Sequence, residues 1–427
     1  MRSRFQQRIL SKAAKGRRFI EHKTQSVKYL YKAPIFHAML YPVQRELLIK
    51  EVTAALIHSP VVALLGPRQA GKTTLARQVV RSGAFPCNEN LNYFDLEDPA
   101  QVERLAVPKL ALEQLNGLVV MDEIQHRLDL FPILRVLTDR EASPARFLIL
   151  GSASRDLIRQ GSETLAGRIQ FVEVTPFHLR ETGVEHLDAL WLRGGFPPSF
   201  LADSEDVSWR WRESYIKTFL ERDIPALGIR IPALTLRRFW MMLSHYHGQL
   251  FNASEIGKSL GVADTTVSRY LDILAGTFMV RRLAPWFENI RKRQIKTSKI
   301  YFRDSGILHR LLGIPGMEQM VTHPKLGASW EGFALEQIIR LSGVAEEEAF
   351  FWGVHNQAEL DLLLFIKGRR LGYEVKYTDA PKVTPSQKQA LEHLGLESLT
   401  VVIPGAADYP LAERIRVLGL GRMVAVD

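Results

Sequence analysis

The sequence predicts an α/β protein in three folded parts: a parallel sheet covered on both faces, a helical region holding a winged helix, and a smaller α/β unit. Three observations carry the prediction. From 51 to about 185, short apolar or β-branched runs alternate with helical patterns, as a parallel sheet with crossover helices does. From 208 to 320 helical patterns dominate and give way to a basic hairpin. After 321 a helix precedes two strands that set acidic residues side by side. A length of 427 residues accommodates about two to four domains, and the boundaries fall at 1–40, 41–185, 186–320 and 321–427.

The first segment stands apart by charge. The chain carries a net +10, yet residues 1–50 hold twelve Lys/Arg against two acids, Glu21 and Glu46. That leaves 44 basic and 44 acidic residues in 51–427, so the excess says nothing about nucleic-acid binding by the folded body. The basic arm reads as disordered, or as an upstream extension of a chain beginning near Met39. A nucleic-acid tail and an organelle transit peptide are the alternatives, because its first 20 residues are Arg-rich and acid-free. Hydrophobic content of 46% and charged content of 24% are ordinary for globular protein. No apolar run suits a bilayer and no cleavable secretory signal is visible, which predicts no membrane partner and a cytoplasmic location. The single cysteine, Cys87, excludes an intrachain disulfide and a multi-cysteine metal site.

The second segment opens its sheet with the apolar run Val61 to Leu65, followed by Gly66-Pro67-Arg68-Gln69-Ala70-Gly71-Lys72-Thr73 and a helical pattern from Thr74. This is G-x-x-x-x-G-K-[ST] between strand and helix, a P-loop. The glycines let backbone N–H groups face phosphate oxygens at the positive end of the helix. Lys72 reaches the β- and γ-phosphates, and the Thr73 hydroxyl ligates Mg²⁺. Further strands are expected at Leu91–Leu96, Leu118–Met121, Arg146–Leu150 and Ile169–Val174, with a helix from Asp129 to Arg140.

Ligands of such sheets gather at the carboxyl ends of the strands. There Leu118 to Met121 ends in Asp122-Glu123, a Walker B pattern in which Asp122 holds the Mg²⁺ shell and Glu123 polarises the attacking water. The next strand ends in Gly151-Ser152-Ala153-Ser154. Ser152 is a candidate for sensing the γ-phosphate or placing water, and equally for capping the following helix. Arg168 is the candidate arginine for the γ-phosphate, in cis or from a neighbouring subunit, which would make the protein a homo-oligomer.

These strings, with Asp122-Glu123-Ile124-Gln125, Leu165-Ala166-Gly167-Arg168, Pro176-Phe177, Gly194-Gly195-Phe196-Pro197 and Leu220-Glu221-Arg222-Asp223-Ile224, resemble the prokaryotic AAA-superfamily ATPases that carry a C-terminal domain of unknown function. The resemblance runs from about residue 42 onward. It implies ATP with Mg²⁺, and a sheet with an extra strand between those bearing the P-loop and the Walker B acids. Leu150-Gly151-Ser152 departs from the Thr-Gly-Ser usual in that family, since Leu150 stands before the glycine.

In the third segment, Ser254–Leu260 and Thr265–Leu274 are joined by Gly261-Val262-Ala263-Asp264, a glycine stop and an Asp264 cap. Strand-like runs at Met279–Ala284 and Lys299–Arg303 complete a winged helix. Its hairpin gathers Arg281, Arg282, Arg291, Lys292, Arg293, Lys296 and Lys299 against Glu288 alone, which suits phosphate contacts along DNA. Thr265, Thr266, Ser268, Arg269 and Asp272 on the exposed helix side are a poor set for reading bases, so DNA contact would be sequence-independent. The alternative is a lid or protein-docking module.

The last segment holds Asp361, Glu374 and Lys376 in D-x(12)-E-x-K spacing, with Lys376 on the face of Glu374 because strand side chains alternate. Two carboxylates suit a divalent metal that activates water, and the lysine suits developing charge. Glu331, on an amphipathic helix from Trp330, completes the metal shell, and Gln387 follows. The set Glu331, Asp361, Glu374 and Lys376 resembles the PD-(D/E)xK nuclease fold, especially archaeal junction resolvases, without the proline of the name. Two readings result: an ATP-hydrolysing switch on DNA or a protein partner, and an ATP-regulated Mg²⁺-dependent nuclease. A non-hydrolysing ATP-binding scaffold is a third, opposed by Asp122-Glu123.

Overall fold

Strand β1 (Val61–Leu65) is buried at every position, because it lies inside a parallel sheet with packed helices on both sides. A computed structural model describes residues 43–140, 144–152, 163–287, 297–354 and 358–425. The first sheet contains β1, β2 (Tyr93–Asp95), β3 (Gly117–Asp122), β4 (Ala145–Gly151) and β5 (Ile169–Glu173) in the order β2-β3-β4-β1-β5. All its pairs are parallel, and β4 lies between β1 and β3 as the extra strand. This is the P-loop NTPase sheet.

Alternation along the strands divides the core in two. Val61, Ala63, Leu65, Val119, Met121, Phe147 and Ile149 face one side, against Phe131 and Leu134 of helix Leu130–Thr138. Val62, Leu64, Leu118, Val120, Leu148 and Leu150 face the other, against Val52 and Leu56 of helix Glu46–His58 and Leu75 and Val79 of helix Lys72–Arg81. The second strand is shorter than expected. Asn88 caps a helical turn at Glu89–Asn92, and the Asn92 amide bonds the Asn116 and Leu118 carbonyls, so the strand starts only at Tyr93.

A second sheet follows. It comprises β6 (Gln249–Leu250), β7 (Val280–Pro285), β8 (Lys299–Phe302), β9 (Ala349–Val354), β10 (Ala358–Ile366), β11 (Arg369–Val375), β12 (Ser398–Ile403), β13 (Asp408–Ala412) and β14 (Ile415–Gly419). Its order is β13-β14-β12-β11-β10-β9-β7-β8-β6. The hairpin of the helical region and the C-terminal strands are therefore one sheet, joined where β7 runs parallel to β9 at Ala284↔Phe350 and Pro285↔Phe351. Helices Ala253–Leu260 and Asp264–Gly276 precede the hairpin, with Gly261 left-handed between them. Asp264 is the first helical residue rather than the cap, which falls to Ala263. Helix Leu326–Ser342 is packed along most of its length, its Trp330, Phe333 and Ile338 sharing one core with Phe177, Trp191, Leu364 and Tyr373. Among the described residues no helix is long and apolar enough to cross a membrane.

Ion pairs reinforce that junction. Glu336 of the same helix bonds Arg281 of β7 and lies 3.4 Å from Arg340 and 3.9 Å from Arg303, which also pairs with Glu173 of the first sheet. Burial alone would raise the Glu336 carboxyl, but the Arg281, Arg303 and Arg340 guanidiniums more than offset it and hold it down to about 2. Its contribution to stability is then complete above its ordinary value of 4.5 and is lost as pH falls through about 2. Glu336→Gln, which leaves buried guanidiniums uncompensated, is expected to cost about 3–5 kcal/mol at neutral pH. Urea unfolding should show the gap to wild type narrowing as pH drops below 4.5.

Candidate functional site

The loop after β1 is shaped by close approaches. A Cβ on Gly66 would stand 2.1 Å from the Val174 carbonyl oxygen, so only glycine fits where the chain leaves the sheet. Pro67 and Ala70 close a turn, Ala70 N–H to Pro67 C=O at 3.3 Å. Gln69 (φ 61°) and Gly71 (φ 93°) are left-handed, which turns the backbone at the start of helix Lys72–Arg81. Arg45, outside the motif, bonds the Ala70 and Thr175 carbonyls and Glu181, tying the loop to the segment after β5. Thr74 is exposed on the first helical turn.

The Lys72 ammonium donates to the Gly66 and Pro67 carbonyls, each at 2.9 Å. Burial lowers it to about 8, against the opposing pull of Glu123 and Asp122. Thr73 Oγ1 donates to Asp122 Oδ2 at 2.7 Å, and Tyr93 OH donates to the same oxygen at 3.0 Å. Burial raises the Asp122 carboxyl, although both hydroxyls favour its charged form. Glu123 is left-handed at φ 56°, an uncommon state for a residue with a side chain and one that collects at functional sites. Its Oε2 accepts from Gln125 Nε2, which also donates to Ser152 Oγ at 3.0 Å. Arg68 stands 3.6 Å from its Oε1.

The structure thus brings together residues 66–73, Asp122, Glu123 and Ser152 at the carboxyl ends of β1, β3 and β4. Ala153 and Ser154 lie outside the described residues. Arg168 is not brought there. It precedes β5, its carbonyl accepting from Val61 N–H at the opposite end of β1, and its guanidinium pairs with Asp139 at 2.5 Å. The length of β1, roughly 13 Å at parallel-strand rise, separates it from its own P-loop and corrects the cis expectation.

In the C-terminal part, Asp361 of β10 and Glu374 of β11 lie one step beyond the Leu362↔Tyr373 pair, past the left-handed turn Lys367-Gly368. Asp361 Oδ2 accepts from Val375 N–H at 2.8 Å, and Lys376 Nζ lies 2.8 Å from Glu374 Oε1. Glu374 Oε2 is buried without a hydrogen-bond partner. Glu331 Oε1 accepts from Tyr301 OH at 2.6 Å, and the buried Lys299 ammonium lies 3.9 Å from it while pairing with Glu359. Burial first, then the nearby Asp361 carboxylate, push both Glu331 and Glu374 above the ordinary carboxylate range. Gln387 is occupied elsewhere, accepting from Thr384 N–H in a capping box. Among the described residues no three His, Cys, Asp or Glu side chains form a ready-made metal cage.

The basic hairpin is corrected in part. Arg281 is buried against Glu336, Lys299 faces Glu359, and Arg282 pairs with Asp272, so none of the three offers a free charge to DNA. Arg291, Lys292, Arg293 and Lys296 lie outside the described residues. Sequence reasoning missed Arg45, Tyr93 and Tyr301, whose partners are remote in the chain and leave no local signal. Gln125 was legible, two positions beyond Glu123.

This sheet order with this loop defines a P-loop protein of the AAA type. Residues 58–183 match the AAA domain family, while 184–318 and 326–423 match two domains of unknown function, DUF8612 and DUF4143. Over 361 residues the chain is 52% identical to "Uncharacterized protein Mb2031c" of Mycobacterium bovis, covering 84% of this chain and 80% of that one. The same values hold for "Uncharacterized protein Rv2008c" of Mycobacterium tuberculosis. The chain belongs to the family of these two mycobacterial proteins. Among solved structures it is similar to the Walker-type ATPase PABY2304 of Pyrococcus abyssi, at 16% identity and TM-score 0.43, covering 66% of this chain and 99% of that one. It is also similar to the Bacillus subtilis DNA clamp loader delta protein, at 15% identity and TM-score 0.28, covering 53% and 87%.

With its ammonium lowered to about 8 by burial, Lys72 is half neutral at that pH, and phosphates favour its charged form. ATP binding at pH 8 should therefore take up protons, and affinity should fall as pH rises further. Calorimetry in two buffers of different ionisation enthalpy reads the uptake, which Lys72→Met should remove.

Proposed function

We propose that this protein is an ATP-hydrolysing switch whose helical and C-terminal parts act on DNA or a protein partner. The observation that carries the reading is the Thr73–Asp122–Glu123 arrangement beside the P-loop. Backbone N–H groups of 66–73 and the Lys72 ammonium hold the phosphates. Thr73 Oγ1 and Asp122 Oδ2 are adjacent hard oxygen donors, fit a Mg²⁺ and would hold it. That ion supplies neutralisation of charge on the β- and γ-phosphates. Glu123 orients the attacking water, with Gln125 and Ser152 fixing the carboxylate. Arg168, remote from its own P-loop, would serve a neighbouring subunit in a homo-oligomer. Arg291, Lys292 and Arg293 are the proposed contacts to DNA phosphates, independent of sequence, if the hairpin is a wing.

Glu123→Gln should retain ATP binding but lower kcat by about 10²-fold or more, since it removes only the group acting on water. Lys72→Ala should instead lose affinity. Wild-type turnover by Glu123→Gln would remove Glu123 from the mechanism.

A second reading, a Mg²⁺-dependent nuclease, is favoured by the unpartnered Glu374 Oε2. Among the described residues Glu331, Glu359, Asp361 and Glu374 gather around Lys299 and Lys376, and a divalent cation there would favour the charged carboxylates that burial opposes. Asp361 and Glu374 would hold the cation, with Glu331 alongside. It would supply an activated water and support for the leaving phosphodiester oxygen. Mn²⁺ should raise the thermal midpoint of the nucleotide-free full chain, by about 2.7 kcal/mol of stabilisation at a hundredfold excess over Kd. The double variant Asp361→Asn/Glu374→Gln should show no such rise and cleave no DNA. An Mn²⁺-indifferent wild type that leaves branched, single-stranded and duplex DNA intact would leave the switch reading alone.

A further inference from the structure

Arg68 occupies the third position of the phosphate loop, and its guanidinium lies among three carboxylates from three separate elements. Asp223 is 2.6 Å away and Glu123 3.6 Å, and Glu97, beyond β2, makes the third contact. Glu97 is itself within 3.6 Å of Arg222 and 3.5 Å of His126. Asp223 closes Phe219–Asp223, a π-helical turn in the helical region. Such turns are rare and concentrate at functional sites. Phe219 of the same turn meets Trp240 at a 51° tilt, 5.1 Å between ring centres, inside the core of that region. One guanidinium thus connects the phosphate loop, the Walker B glutamate and the packing of the helical part.

The arrangement leaves Glu123 engaged at both oxygens, Oε1 facing Arg68 and Oε2 accepting from Gln125. The Arg68 guanidinium, 3.6 Å away, therefore competes with water for Oε1. The group that would compete for Arg68 is the γ-phosphate, which arrives on the loop carrying it. A phosphate bears more charge than a carboxylate and matches the planar guanidinium fork equally well.

We propose that Arg68 is the ATP-responsive switch of this site, held by Glu123, Glu97 and Asp223 and drawn from them by the γ-phosphate. The move frees Glu123 Oε1 for water and releases Asp223, so the helical part feels the triphosphate. This rests on the reading of residues 66–73 as an ATP site, and names the route by which that site reaches the rest of the chain. Linkage makes it reciprocal in binding: a partner that pulls Asp223 away also frees Arg68 for the γ-phosphate and tightens ATP binding.

The test is a double-mutant cycle on the full chain. Asp223→Asn removes an anchor of Arg68, and should raise basal kcat about threefold or more, within the range of couplings between contacting residues. In an Arg68→Ala background the same substitution should change nothing, and with Arg68→Lys, which keeps the charge but not the fork, the gain should shrink. Glu97→Gln withdraws a different anchor and should also accelerate, which covers the case of an Asp223 variant that folds poorly. An Asp223 of purely structural importance would instead lower the melting temperature and slow both backgrounds alike. Independently of turnover, adenylyl imidodiphosphate should increase amide exchange across 219–224 in wild type and not in Arg68→Ala. Acceleration by neither anchor variant, or exchange unchanged by the analogue in a protein that binds it, overturns the proposal. A wild type that binds no ATP would fail at the earlier step, the ATP site itself.

Discussion

The parallel register of β1, β3 and β4 is the constraint on which the ATP site depends. Parallel strands in register bring their carboxyl ends to one edge, so Gly66, Asp122 and Gly151 emerge side by side although 85 residues of chain separate the first from the last. Burial enforces that register. A slip of one residue would move Val62, Leu64, Leu118 and Val120 to the opposite face, against helices packed for another set. The same register sends Arg168 to the far edge. Any role for it at a nucleotide must then involve another molecule.

The second sheet imposes a different constraint. Because β7 pairs with β9, a shift of the hairpin must either carry β9 and its neighbours with it or break the Ala284 and Pro285 pairing. Lys299 and Tyr301, both on β8, reach Glu359 and Glu331 of the C-terminal acidic cluster, so that cluster is built jointly by the helical and C-terminal parts. Buried ion pairs around Glu336 act in the same sense. Losing one partner strands the rest at high cost, which makes the junction intolerant of partial opening.

Local patterns made much of this legible. The apolar run into Gly66, the acids closing β3 and the D-x(12)-E-x-K spacing each express a short-range rule: a turn, a strand end, an alternation of two. The helix pair around Gly261 was readable for the same reason. What the sequence concealed depends on distant partners. Arg281 and Lys299 count as free charges in a basic hairpin until Glu336, 55 residues away, and Glu359, 60 residues on, are seen to neutralise them. Asp264 missed its capping role by a single position, within the range over which helix ends vary. The pairing of β7 with β9 has no signature in either strand, because a buried strand edge looks alike whichever neighbour covers it.

The polar groups of the phosphate-loop site are satisfied from within. Lys72 rests on two loop carbonyls, Asp122 accepts from Thr73, Tyr93 and the Glu123 amide, and Glu123 is shared between Arg68 and Gln125. Phosphates entering such a site gain Lys72 only by displacing its bonds to Gly66 and Pro67. Part of the binding free energy therefore goes into rearranging the protein, which lowers affinity but is the sole source from which a nucleotide can drive a change elsewhere. A site with its cations already unpaired would bind more tightly and transmit less. The left-handed Glu123 points the same way. Its backbone strain persists only because the surrounding bonds over-determine it, so loosening those bonds changes the state of Glu123 itself.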